Sequence, residues 1–256
     1  MGGFMDDGAD IVCMIFMMAG AMPFGIYLIM LKNQAFAAPF KDPQVRAFVA
    51  VIISLIAIVT FYLWGQSELT NSRALRLSAF NVISIVTGTG YATADYGQWG
   101  TFAVACFFIF MFISGCAGST ACSIKIFRYQ VALAGMKAYL FQMPQPNAIS
   151  PMRYAGRPLS PTVVYSVMTY FFVFLVTFAV TAVILSLMGL DNLTAWSGAG
   201  SAVANVGPGL GDIIGPAGTY QDLSNPVKWV LMIAMIIGRL EIITAFVVLM
   251  PSFWRA

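Results

Sequence analysis

Five segments of this chain are long, almost wholly apolar and close to 20 residues each: 11–31, 46–64, 101–126, 163–188 and 227–250. A helix needs roughly 20 such residues to cross the hydrocarbon core of a bilayer. The composition agrees, with 60% hydrophobic and 9% charged residues, where a soluble domain carries about a quarter charged. An ordinary soluble enzyme, a disordered chain and a nucleic-acid binder are excluded. The expected fold class is an all-α polytopic membrane protein. There is no His, so His-based catalysis and His-ligated metal are impossible. Cys13, Cys106, Cys116 and Cys122 lie in apolar runs without CxxC or zinc spacing and read as small packing residues. No enzyme activity and no cofactor are implied. The first ten residues do not resemble a signal peptide, since they carry Asp6, Asp7 and Asp10 in place of a basic region.

Five crossings put the two ends of the chain on opposite faces, and the charges divide accordingly. One face holds Lys32, Lys41, Arg46, Lys125, Arg128, Lys137, Arg153, Arg157 and Arg255 against a single acid, Asp42. The other holds Arg73, Arg76 and Lys228 against Asp6, Asp7, Asp10, Glu68, Asp95, Asp191, Asp212 and Asp222. The positive-inside rule makes the first face cytoplasmic, with the N-terminus external and the C-terminus internal.

Two shorter apolar segments do not cross. Residues 71–86 run into Thr87-Gly88-Thr89-Gly90-Tyr91, and residues 193–204 run into Asn205-Val206-Gly207-Pro208-Gly209. Both lie on the external side between two spans. A short helix followed by a Gly-rich extended strand is how a re-entrant pore loop is made. Glycine permits the backbone angles, successive carbonyls can line an axis, and the helix aims its negative end at the cavity. These features favour a dehydrated cation. An external Gly-rich turn is the alternative for either segment taken alone.

The segments repeat as units. Span 46–64, loop 71–91 and span 101–126 form one membrane–pore–membrane unit; span 163–188, loop 193–210 and span 227–250 form another. Gly90 and Gly207 are equivalent, 117 residues apart. Gly3-Phe4 before the first span matches Gly90-Tyr91, so residues 1–32 read as the tail of a preceding unit. The expected organisation is that tail, a third unit at 46–126, a cytoplasmic loop at 127–160 and a fourth unit at 161–256. A four-fold pore needs four units, so the chain reads as part of a larger pore, inactive on its own.

These motifs together resemble the carboxy-terminal half of the TrkH family, the membrane subunits of bacterial Trk potassium uptake systems. They are GGF at 2–4, TGTGYAT at 87–93, GCAGST at 115–120, NVGPGLG at 205–211, NPVKW at 225–229, GRLE at 238–241 and PSFWR at 251–255. The closing pair is more similar to TrkH than to the related KtrB. The resemblance implies four membrane–pore–membrane repeats around one pore. It assigns potassium binding in the selectivity filter to Gly2, Gly3, Thr87, Gly88, Thr89, Gly90, Asn205, Val206 and Gly207, with potassium as substrate rather than cofactor. It also implies a location in the bacterial inner membrane, among membrane lipid, a homodimer of full-length chains, and a cytosolic TrkA-like nucleotide-binding regulatory subunit docked on the basic 125–157 loop, for which ordinary positive-inside bias is the alternative reading. This chain carries no nucleotide motif of its own.

Residues 115–123 interrupt the third-unit inner span. Gly115, Gly118, Ser119 and Thr120 weaken a helix there, or serve close packing. The resemblance makes this an intramembrane gating loop beneath the filter, although Ala121, Cys122 and Ser123 stand where the family continues with glycines. Arg239 is the basic residue well inside a span, with Glu241 on another side of the helix. The resemblance turns Arg239 to the pore as an electrostatic barrier and a latch for the loop, with Ser119 and Thr120 able to bond its guanidinium. A structural role for Arg239 is the alternative. The Phe run at 107–112 and the Met-rich first span are lipid-facing or packing surface. A sodium- or proton-coupled secondary transporter is the rival function, disfavoured because the two units run in one orientation and such transporters usually invert theirs.

Overall fold

The computed structural model describes residues 8–34, 36–66, 70–144, 152–239, 247 and 253–255. Gly2, Gly3, Asp6, Asp7, Glu68 and Glu241 lie outside them, as does the stretch of the last span beyond Arg239 save residue 247.

Helices α1 (Ala9–Gly20) and α2 (Phe24–Asn33) occupy the first expected span. They are not one rod: their axes bend by 91° at the break. Pro23 explains the break, because it lacks an N–H and cannot continue the preceding helix. A short α3 (Ala38–Lys41) leads into α4 (Pro43–Gln66), whose first turn is capped by Asp42 Oδ1 accepting from the N–H of Gln44 at 2.8 Å and of Val45 at 3.2 Å. At 24 residues α4 is about 36 Å long, enough to cross.

Helix α5 (Asn71–Thr87) is the first pore helix and α6 (Thr101–Phe110) follows it. Ten residues of α6 reach only about 15 Å. The chain then leaves helical geometry. Strand β1 (Ile113–Ser114) pairs in parallel with β2 (Ile124–Lys125), which pinches off residues 115–123 as a closed loop. Helix α7 (Ile126–Gln142) begins at once. The continuous span expected over 101–126 is therefore two helices divided by a loop, and the expected cytoplasmic loop from 127 opens with a 17-residue helix. The cations there did not end the helix. Arg128 is stacked over the Tyr170 ring, 3.7 Å from its centroid.

The hairpin β3 (Arg153–Tyr154) with β4 (Arg157–Pro158) precedes α8 (Pro161–Leu187). Ser160 caps α8 and Pro161 stands at its first position. Twenty-seven residues give about 40 Å, again a full crossing. Helix α9 (Asn192–Ala204) is the second pore helix, capped by Asp191, which accepts from the Thr194 N–H at 3.1 Å. A hydrogen bond from the Thr194 side chain, helped by backbone N–H groups of the first turn and opposed by burial, holds the Asp191 carboxyl below the usual carboxylate range. Helix α10 (Asn225–Arg239) packs on α8 and α9.

The core sits around the pore helices. Helix α5 is buried almost all round from Phe80 to Thr87, and α9 from Ser197 to Ala204. In α9 this requires small residues, since Ser197, Gly198, Ala199, Gly200 and Ser201 let neighbours approach on every side. Each pore helix packs against the inner helix of the unit before it. Helix α1 meets α5, where Asp10 and Arg76 form a two-pronged ion pair at 2.5 and 2.6 Å. The end of α6 meets α9 through Phe108 and Phe112 against Gly200.

Candidate cation filter and intramembrane loop

The two Gly-rich segments have closely similar backbones, although the Gly90 N–H bonds Ser84 O at 3.3 Å and the Gly207 N–H bonds Ser201 Oγ at 3.1 Å. Helix α5 ends at Gly88 (φ 72°) and α9 at Asn205 (φ 55°), both left-handed. The Gly88 N–H bonds Ile85 O at 3.0 Å, and the Asn205 N–H bonds the equivalent Ala202 O at 3.2 Å. The Thr89 N–H bonds Ser84 O at 2.9 Å, and the Val206 N–H bonds Ser201 O at 3.0 Å. Gly90 (φ 76°) and Gly207 (φ 114°) then take positive φ together. This is the left-handed region that glycine enters without a Cβ penalty.

The segments also meet. A Cβ at Gly207 would lie 3.8 Å from Gly90 Cα, and a Cβ at Gly90 would overlap the Val206 carbonyl oxygen. A Cβ at Gly88 would stand 3.6 Å from Asn205 O. No described residue donates a hydrogen bond to the carbonyls of Gly88, Thr89, Gly90, Asn205 or Val206. Unsatisfied carbonyls at close quarters are what a filter offers a dehydrated cation. The Gly207 carbonyl differs, since Tyr220 Oη donates to it at 2.7 Å.

Each strand is stapled to its own pore helix. In the third unit Asn81 accepts from the Thr93 N–H at 3.2 Å and donates to Thr93 Oγ1 at 3.1 Å. In the fourth Ser197 Oγ accepts from the Leu210 N–H at 2.9 Å. Thr87 pairs its hydroxyl with that of Thr89 at 2.9 Å.

The 115–123 loop abuts these strands, with a Cβ at Gly88 only 3.9 Å from Cys122 N. It is tied to the α1–α2 elbow. The Cys116 N–H bonds Ala21 O at 2.9 Å, the Thr120 N–H bonds Gly20 O at 3.3 Å, and the Phe24 N–H bonds Gly118 O at 3.0 Å. The elbow thus finds partners for backbone groups that the broken helix exposes. Gly115 is needed because any Cβ there would press on Ala21 O at 2.7 Å. Gln44 accepts from the Ala117 N–H at 3.0 Å.

Arg239 reaches this loop, but through a different residue from those expected. Its Nη1 donates to Cys122 Sγ at 2.6 Å. Ser119 Oγ bonds Cys116 O at 2.7 Å, and Thr120 Oγ1 bonds Gly20 O at 3.0 Å, so neither hydroxyl contacts the guanidinium. Gly118 (φ 77°) has open space around it, and its carbonyl is held by Phe24. Cys122, Gln44, Tyr220 and the elbow carbonyls escaped the sequence reading. Pro23 inside an otherwise apolar span was the one signal that pointed to the elbow.

Known proteins resemble this chain over nearly all of its length. Residues 8–255 match the TrkH family model, described as a cation transport protein. The Trk system potassium uptake protein TrkI of Halomonas elongata is 42% identical over 242 residues, covering 94% of this chain and 49% of that protein. TrkH of Escherichia coli is 27% identical over 255 residues, covering 99% of this chain and 52% of that protein. The crystal structure of the potassium transporter TrkH from Vibrio parahaemolyticus superposes with a TM-score of 0.88 at 28% identity, over 96% of this chain and 52% of that one. The chain spans about half the length of the curated relatives it matches. The fold is that of an all-α polytopic membrane protein of this type, and the chain belongs to the TrkH family of cation transport proteins.

Proposed function

We propose that this chain forms part of a potassium uptake pore in the bacterial inner membrane, with its N-terminal end external and its C-terminal end cytoplasmic. The observation that carries the reading is the pair of matching left-handed glycines, Gly90 and Gly207, meeting between two pore helices beside carbonyls that no described residue bonds. Gly88, Thr89, Asn205 and Val206 contribute the remaining backbone. The loop bearing Gly115, Gly118, Ser119 and Thr120 is the gate, and Arg239 with Cys122 is its latch. Two further units complete the ring, and full-length chains pair as a homodimer. A TrkA-like nucleotide-binding subunit docks on the basic cytoplasmic face and controls the loop. No enzyme activity belongs to the assembly.

Arg239 also places a fixed positive charge on the path of the ion. At about 6 Å and an effective dielectric near 20 the repulsion is roughly 3 kcal/mol, and cavity water lowers it to about a tenfold effect on rate. A chimera in which this chain replaces the matching part of the Vibrio parahaemolyticus protein tests the reading. It should restore growth of a potassium-uptake-deficient bacterium at low potassium, and Arg239→Ala should raise flux about tenfold in proteoliposomes. A chimera that reaches the membrane and passes sodium as readily as potassium overturns the potassium assignment. Flux that stays level or falls in a folded Arg239→Ala protein makes Arg239 structural.

A further inference from the structure

We propose that the cavity between the first turns of α7 and α8 binds a phosphate group and braces the 115–123 loop. The cavity has a volume of about 400 Å³. Lys125 and Arg128 line one side, Thr162 and Ser166 the other, and Ala117 and Gly118 of the loop close it. No acidic side chain lines it among the described residues. Thr162 and Ser166 are four residues apart on α8, so both hydroxyls share one face. Two helices begin here, and their positive ends add to the two cations.

The donor set suits phosphate better than carboxylate. A guanidinium fork, an ammonium and two hydroxyls offer more hydrogens than two carboxylate oxygens accept, whereas a phosphate presents three or four. Stacking over Tyr170 fixes the plane of the Arg128 guanidinium before any ligand arrives. Both cations also have other partners, so a phosphate joins a network. Tyr170 Oη donates to the Ser123 carbonyl at 3.3 Å. The loop is therefore touched at both ends, at Ala117–Gly118 by the cavity itself and at Ser123 through Tyr170. An occupant here stiffens the loop without entering the filter, and the site stands whether or not the filter passes potassium.

Two sources carry this chemistry: free phosphate, and the headgroup of an anionic phospholipid. Exposed Tyr165 and Met168 on α8, with Leu133 and Met136 on α7, give an acyl chain apolar surface nearby. The test uses the purified full chain at constant ionic strength. One arm titrates inorganic phosphate against chloride by phosphorus NMR. The other compares melting temperature in nanodiscs of phosphatidylglycerol and of phosphatidylcholine. Saturable binding of phosphate, a higher melting temperature in phosphatidylglycerol, or both, is expected in the native chain. A response in the lipid arm alone assigns the headgroup, and one in the phosphate arm alone assigns the free ion. Lys125→Gln and Arg128→Gln should each weaken the response at least about tenfold, as loss of a charge-assisted hydrogen bond predicts. Arg128→Gln also removes the stack on Tyr170, so Thr162→Val with Ser166→Ala serves as a second test that leaves the charges in place. Chloride acting as well as phosphate with no difference between the two lipids, or an unchanged response in Lys125→Gln and the hydroxyl variants, overturns the proposal.

Discussion

The third and fourth units build closely similar Gly-rich strands on different supports. Both pore helices end in a left-handed residue, and both strands bend at a glycine 117 positions apart. Their supports diverge. Helix α5 is braced by a partly buried ion pair, with the Asp10 side chain 2% and the Arg76 side chain 34% exposed, while α9 is braced by phenylalanines closing on Gly200. The inner helix of the third unit is interrupted by a loop under the filter, whereas α10 stays helical to Arg239. Gly238 of α10 lies so close to α9 that a Cβ would overlap Val203 O, and Asn205 Nδ2 donates to Met235 O at 2.9 Å. The fourth unit therefore holds its strand from a helix over its described residues, and the third places a loop at the corresponding point. Similar backbones are thus held by unequal supports.

The largest break in this comparison should come from the ion pair. Arg76→Gln leaves the Asp10 carboxylate buried without its fork and should cost about 3 kcal/mol of stability, the low end for a buried pair because Arg76 is 34% exposed. Gly200→Ala only brings a methyl to about 3.4 Å from the Phe112 ring and should cost about 1 kcal/mol or less. Thermal melting of the purified proteins compares them, and equal losses would mean that the two braces are not different in kind.

The strand glycines come next. Gly90→Ala meets Val206 O and the Pro208 ring at once, in addition to its φ of 76°. It should lose both melting temperature and ion preference, by about 2–4 kcal/mol. Gly207→Ala meets nothing nearer than Gly90 Cα at 3.8 Å, so it carries chiefly the backbone cost of about 1–2 kcal/mol. The ratio of rubidium to sodium uptake in the chimera, read beside melting, separates a distorted filter from an unfolded one. A Gly207 variant that is worse than the Gly90 variant would show that the strands meet differently.

The smallest effect concerns the staples. Asn81→Leu removes two bonds to Thr93 and should cost about 1–2 kcal/mol; Ser197→Ala removes its bonds with the Leu210 N–H and carbonyl, the latter long at 3.2 Å, and should cost about 1 kcal/mol. Hydrogen exchange at the amides of Thr93 and Leu210 should quicken in the matching variant only. Exchange that quickens at both sites in either variant would make the two strands one cooperative unit.

Much of this arrangement was legible in the residues. Apolar length marked the α4 and α8 crossings, and short apolar runs ending in glycine marked α5 and α9 to within a residue or two. Those features depend on local physics: hydrogen bonding within a helix, hydrophobic transfer, and the freedom of glycine at positive φ. The division of 101–126 into helix, loop and helix was only half legible. Gly115 and Gly118 signalled a weak helix, but the pairing of Ile113 with Ile124 that closes the loop joins residues eleven apart and needs both strands in place.

Sequence alone determined that the chain spans a membrane, that it repeats, and where its strands bend. Tertiary structure alone decided which groups meet. Arg239 found Cys122 instead of Ser119 or Thr120, because the elbow at Gly20 had already engaged Thr120, while Ser119 had turned back to Cys116. A polar group in a membrane interior must find a partner, and several residues of the loop could have supplied one. Which one does so is set by the packing of α2, the loop and α10 together, through contacts between residues about a hundred positions apart that no local pattern encodes.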